Sequence, residues 1–98
     1  MRIPELTKRP NEMFAIGLQY VSPDLGEGEE VVSCLVSISP DEPSGLQKSG
    51  SPVIEVDRVS QIVYSGEDGR EYYVTFKTAT SGGNVYEDFI FIKVRSIG

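Results

Sequence analysis

The sequence predicts an all-β fold, an antiparallel two-sheet sandwich of about seven strands. Three observations carry that expectation. The chain closes on two strand-like runs, residues 70–78 and 86–95, around the turn Ser81-Gly82-Gly83-Asn84, which is the pattern of a β-hairpin. The other apolar runs are short and rich in Val, Ile, Tyr, Phe and Thr, the residues that suit a pleated, half-buried surface. Ten glycines and six prolines interrupt the chain and leave few stretches able to hold a helix.

Each element follows in order. Residues 1–12 are a lead-in, with a short edge strand expected around Leu6-Thr7-Lys8 and regular pairing limited by Pro4 and Pro10. Residues 14–21 alternate, with Phe14, Ile16, Leu18 and Tyr20 on one face. Residues 22–30 form an acidic loop. In the run 31–38, Val32, Cys34, Val36 and Ile38 share one face; Ser33, Leu35 and Ser37 share the other. Residues 39–52 hold three prolines and two glycines and read as a long loop, crossing between sheets or carrying a short irregular edge. Residues 53–56 and 59–64 are two short strands, with Asp57-Arg58 as a tight turn or a bulge between them. Residues 65–69 form a turn before the closing hairpin.

Ninety-eight residues make one domain, 1–98, with room for a modest core. That core is expected to hold Ile16, Leu18, Cys34, Val36, Ile62, Tyr72, Val74, Phe76, Ile90, Ile92 and Val94. Cys34 is the single cysteine, so no internal disulfide forms, and a buried inert thiol is expected. The first 21 residues lack a continuous apolar stretch of the secretory type, and no run is long enough to span a membrane. The chain is expected to be a free-standing protein made inside the cell.

Little in the chain supports chemistry. It has no histidine, which excludes Ser-His and Cys-His pairs. Neighbouring carboxylates such as Glu87 and Asp88 point to opposite faces of a strand and do not converge on a substrate. The loop residues Asp24, Glu27, Glu29 and Glu30 could supply calcium ligands, but their spacing matches no known calcium loop. No catalytic residue, metal or cofactor is therefore expected. The net charge of −6 repels phosphate backbones and disfavours nucleic acid.

Asp68-Gly69-Arg70-Glu71-Tyr72 allows two readings. Tyr72 is either a tyrosine corner, its hydroxyl tying the turn to the strand as in immunoglobulin-like sandwiches, or a plain core aromatic. The stretch containing Ser65-Gly66, Gly69-x-x-Tyr72, Thr80-Ser81-Gly82-Gly83 and Ile90-x-Ile92-x-Val94 resembles small immunoglobulin-like proteins encoded among structural genes of tailed bacteriophages and prophages. Residues 8–11, 14–20 and 28–38 fit the same family loosely. Its frequent tryptophans are absent, and Tyr20 and Val36 stand in such places. The resemblance implies an immunoglobulin-like sandwich with a role in the virion or its assembly. The expected function is that of a non-enzymatic phage structural or accessory protein, made in the host cytoplasm and located in the virion. Its partners would be other phage structural proteins or further copies of itself, with no nucleic acid or membrane. The alternative is a bacterial adhesion or carbohydrate-binding module.

Alternation also suggests where a partner docks. If Ile90, Ile92 and Val94 face the core, Phe89 and Phe91 face outward. In an immunoglobulin-like arrangement Leu35, Tyr73 and Thr75 point outward from the same sheet. Leu35, Tyr73, Phe89 and Phe91 are thus the expected protein-binding residues, forming an apolar patch on an acidic surface.

Overall fold

A computed structural model describes residues 5–20 and 25–96. They form seven strands in two sheets: β1 (Glu5–Lys8), β2 (Phe14–Gln19), β3 (Val31–Ser39), β4 (Leu46–Ile54), β5 (Arg58–Ser65), β6 (Glu71–Thr80) and β7 (Val85–Val94). The first sheet has the order β1-β7-β6-β3 and the second β2-β5-β4. Every pairing is antiparallel except that of β1, which runs parallel to β7 at the sheet's edge. This is an immunoglobulin-like sandwich in which the first strand joins the sheet of the closing hairpin.

Alternation builds the core between the sheets. Tyr72, Val74 and Phe76 from β6 meet Ile90, Ile92 and Val94 from β7, and all six are almost fully buried. The second sheet answers with Ile16, Val59, Val63 and Leu46, and β3 adds Val31, Cys34 and Val36. Leu18 packs at the margin, half-buried. Tyr72 fills both roles open to it. Its ring is fully buried, and its hydroxyl accepts the Glu67 N–H at 3.1 Å, which ties the β5–β6 turn to the strand.

Three expectations need correction. Ile62 is not core: it stands on the outer face of β5 and is 41% exposed. The register Ile16↔Gln61 turns Gln61 inward instead. Burying an amide is unfavourable unless its polar atoms are paired; here Gln61 Nε2 donates to the carbonyls of Ser49, Gly50 and Ile62 at 3.0–3.2 Å, which offsets the cost of an Oε1 buried without a donor. The second correction explains the first. Residues 39–52 do cross from the first sheet to the second and carry an irregular edge, but they are not one long loop, because the edge strand β4 begins at Leu46. Its ladder with β5 shifts between Ser49 and Val53, so Gly50 and Pro52 sit in a strand interrupted by a bulge, and Gln61 fills that bulge. The strand then ends at Ile54, and a tight turn closed by Glu55 N–H to Arg58 O at 2.9 Å leads into β5. The third correction lies in β3, where a bulge between Val31 and Ser33 buries Val31 and exposes Val32.

Lys8 was also hidden from the sequence. It is fully buried, and its ammonium donates to the carbonyls of Arg9, Pro10 and Ser65. Burial lowers its pKa from the usual lysine range, and nearby Glu12 opposes that effect.

Candidate protein-docking face

The pairing register arranges the outward side chains of the first sheet in rows. Glu5, Phe91, Tyr73 and Ser39 form one row. Phe89, Thr75 and Ser37 form the next, followed by Glu87, Lys77 and Leu35. On the other side of the aromatic row lie Thr7, Lys93 and Glu71. Directly opposed side chains on one face of an antiparallel pair touch, and Tyr73 and Phe91 do so with ring centroids 4.9 Å apart at a tilt of 42°.

Tyr73 is 45% exposed, Phe89 is 38% exposed and Phe91 is half-buried. Tyr73, Phe89, Thr75 and Ser39 line an open depression of about 500 Å³. Charges frame the aromatics. Lys93 Nζ lies 3.1 Å from Glu5 Oε1 and 6.0 Å from the centre of the Phe91 ring. Arg95 lies 3.6 Å from Glu71. Such exposed pairs add little stability, about 0–1 kcal/mol each, but they fix the polarity of the rim.

The four residues expected to bind protein all lie on this sheet, and all reach its outer side. They do not form one cluster. Tyr73, Phe89 and Phe91 gather across β6 and β7, whereas Leu35 lies on β3, with Lys77 opposite it on β6. Leu35 is the most exposed of the four, at 73%. The ring contact between Tyr73 and Phe91 was not foreseen. The signal for it was the hairpin register, which a count back from the Gly82-Gly83 turn would have supplied.

In the acidic loop, Glu29 is engaged by the protein's own donors. Asp24 lies outside the described residues. Glu29 is bound to protein donors at both oxygens: Oε1 accepts the Gly26 N–H at 2.8 Å, and Oε2 accepts from the Thr80 hydroxyl and from Asn84 Nδ2. The Thr80 bond, then the Gly26 bond, then that of Asn84, hold its pKa below the usual carboxylate range. Glu30 and Ser81 add a reciprocal pair, Ser81 N–H to Glu30 O and Glu30 N–H to Ser81 Oγ. The loop is thereby latched to the β6–β7 turn. A Cβ at Gly82 would fall 2.6 Å from Glu29 Oε2, so a side chain there would push the carboxylate aside and loosen the latch. Among the described residues, no three carboxylate or thiol side chains converge to hold a metal ion.

Inside, the Tyr20 hydroxyl is shared between Thr78 Oγ1 at 2.9 Å and Asp88 Oδ2 at 3.2 Å, and burial pushes its pKa up to about 12. Thr78 in turn donates to Cys34 Sγ at 3.5 Å. Cys34 is buried, and that burial raises its thiol pKa, so thiolate is disfavoured.

An immunoglobulin-like sandwich with a packed group of accessible aromatics on the outer face of one sheet has the form of a structural interaction module. Family comparison is more specific. Residues 8–93 match the model of the podophage GP4 fiber-tail adaptor protein gp77, and the chain belongs to that family of small phage structural proteins. Comparison with curated proteins gives no match.

Proposed function

We propose that the chain is a non-enzymatic virion protein that joins fiber and tail components, and that it docks through the outer face of the β1-β7-β6-β3 sheet. Tyr73, Phe89 and Phe91 form the centre of that face and Leu35 its margin. The observation that carries this is the exposed, mutually packed aromatic group on a chain of net charge −6. Exposed aromatic clusters of this kind anchor protein interfaces, and side chains already packed together lose little freedom on binding. The rows containing Lys77/Glu87 and Lys93/Glu71 bracket the aromatics with both signs of charge, which favours one orientation of a partner. The family's description as a fiber-tail adaptor supports a partner among tail proteins. Synthesis in the host cytoplasm and residence in the virion accompany this reading, with no part for nucleic acid or membrane.

The carbohydrate-binding alternative has one observation in its favour, the aromatic-flanked depression at Tyr73 and Phe89. One experiment separates the two. A photoreactive phenylalanine analogue is placed at position 89, with a control at Val53 on the opposite sheet. Cross-linking to a fiber or tail protein from position 89 and not from 53 is expected. Cross-links from 53 alone would overturn the docking face. Loss of the position-89 cross-link on adding free oligosaccharide would favour the carbohydrate reading.

A further inference from the structure

The sheet edges of this sandwich are not treated alike. A free edge exposes unpaired N–H and C=O groups, and folded proteins blunt such edges with short strands, bulges, prolines or charges. β1 has only four residues, with the exposed charge of Glu5 at its start. β3 is bulged between Val31 and Ser33, and Lys48 Nζ takes its Val36 carbonyl at 2.5 Å. β4 is bulged between Ser49 and Val53, with Gly50 in the left-handed region and Pro52 in the strand. β2 has none of these devices. Phe14–Gln19 contains no charge and no proline, and its register with β5 runs unbroken from Phe14↔Val63 to Gln19↔Arg58. Among the described residues it pairs with β5 alone.

The open side of β2 can be assigned. Tyr20 N–H donates to Asp57 O at 2.7 Å, which continues the β2–β5 ladder by one step. Backbone groups alternate sides along a strand, so Phe14, Ile16 and Leu18 bond toward β5, and Ala15, Gly17 and Gln19 present their N–H and C=O to the free edge. Gly17 lies at the middle of that edge. A Cβ at Gly17 would fall 2.5 Å from Val59 O, so this position stays bare.

We propose that β2 pairs antiparallel with β2 of a second copy of this chain, across a two-fold axis at Gly17, so that two three-stranded sheets become one. The edge is self-complementary about Gly17, which favours a second copy, and the lack of charge on β2 permits it. Two copies of a chain carrying −6 repel one another except where charge is absent. No side chain of β2 is charged, and the charged residue opposite its end, Arg58, lies 3.3 Å from its own Asp57. A two-fold axis sets Gly17 against Gly17 and Ala15 against Gln19, so each edge N–H meets a carbonyl of the other copy. The aromatic face belongs to the other sheet and stays open in both copies, so the pair presents it twice and gains from multivalent attachment.

Sedimentation velocity of the full chain from micromolar to millimolar concentration, combined with amide hydrogen exchange, tests this. The expected result is a mass that doubles with concentration, while the amides of Ala15, Gly17 and Gln19 become protected in step. Ala15→Pro removes an edge N–H and keeps the ladder to β5; it weakens self-association roughly tenfold or more. Ala15→Lys, which places a charge on the exposed edge, has the same effect and guards against misfolding of the proline variant. Phe89→Ser with Phe91→Thr leaves the dimer intact, so failure of this pairing and failure of the docking face are distinguishable. A monomer throughout the range would overturn the proposal. So would a dimer whose edge amides exchange as fast as in the monomer, a dimer lost with the two phenylalanines, or pairing that starts only after residues 1–4 are removed.

Discussion

The β6–β7 and β4–β5 hairpins are both antiparallel pairs, but they carry the fold in different ways. In β6–β7 the register is unbroken from Glu71↔Lys93 to Ala79↔Val85, and every second residue of β6 from Tyr72, and of β7 from Ile90, is deep core. In β4–β5 the register shifts, a glutamine points inward and an isoleucine points out. The difference shows that the phase of a strand is set by its partner's backbone as well as by hydropathy. In β5 the set Val59, Gln61, Val63 competes with the set Ser60, Ile62, Tyr64. The first set is inward because the bulged strand opposite offers Gln61 the carbonyls of Ser49 and Gly50.

Substitutions in the two hairpins can break or sharpen this contrast. The largest effect is expected at Phe76, fully buried in β6. Phe76→Ala should cost about 3–5 kcal/mol by urea denaturation, a large share of the stability of a domain this size. Gln61→Ala comes next, at about 1–3 kcal/mol, because it leaves carbonyls in the β4 bulge without a donor. An unchanged midpoint would mean that the amide does not hold the bulge.

Glu29 probes the turn of the regular hairpin, with a smaller effect. Its folded pKa is depressed, so the stability it contributes is present above the unfolded value near 4.5 and is lost as pH falls through the lower folded value. Glu29→Gln should lower the melting temperature at neutral pH and flatten its decline on acidification. Part of the decline should persist, since Asp57 is also depressed, first by Gln19 and then by Arg58. The smallest effect is expected at Ile62, the residue that hydropathy assigned to the core. Ile62→Ser should change stability by no more than about 0.5 kcal/mol, against the several kcal/mol that a core position would show.

The same contrast explains what the sequence could tell. The sandwich, the closing hairpin, the inward face of β2 and the outward face of Phe89 and Phe91 all follow from period-two alternation, which Val, Ile, Tyr and Phe mark clearly. The parts that were hidden depend on backbone breaks and on long-range polar contacts. Nothing near Ser49-Gly50-Ser51-Pro52 marks it as a strand, because its partner supplies the order. Nothing near Lys8 shows that its ammonium will close the end of the sandwich against Ser65, 57 positions away. Glu29 looked like one of several loop acids, and only the approach of Thr80 and Asn84 makes it a latch. At the docking face, the outward side chains were legible, but the separation of Leu35 from the aromatic group was not, since it depends on how β3 and β6 align.

The central claim is that the aromatic face of the first sheet holds the protein in the virion and is not needed for folding. The most direct measurement is the amount of the Phe89→Ser, Phe91→Thr variant in purified particles, taken together with its thermal melt. The account predicts a cooperative melt close to that of the parent and strongly reduced incorporation with its fiber partner. A variant that folds and still assembles at the parent level would contradict it, and one that no longer folds would assign the two phenylalanines to the core instead.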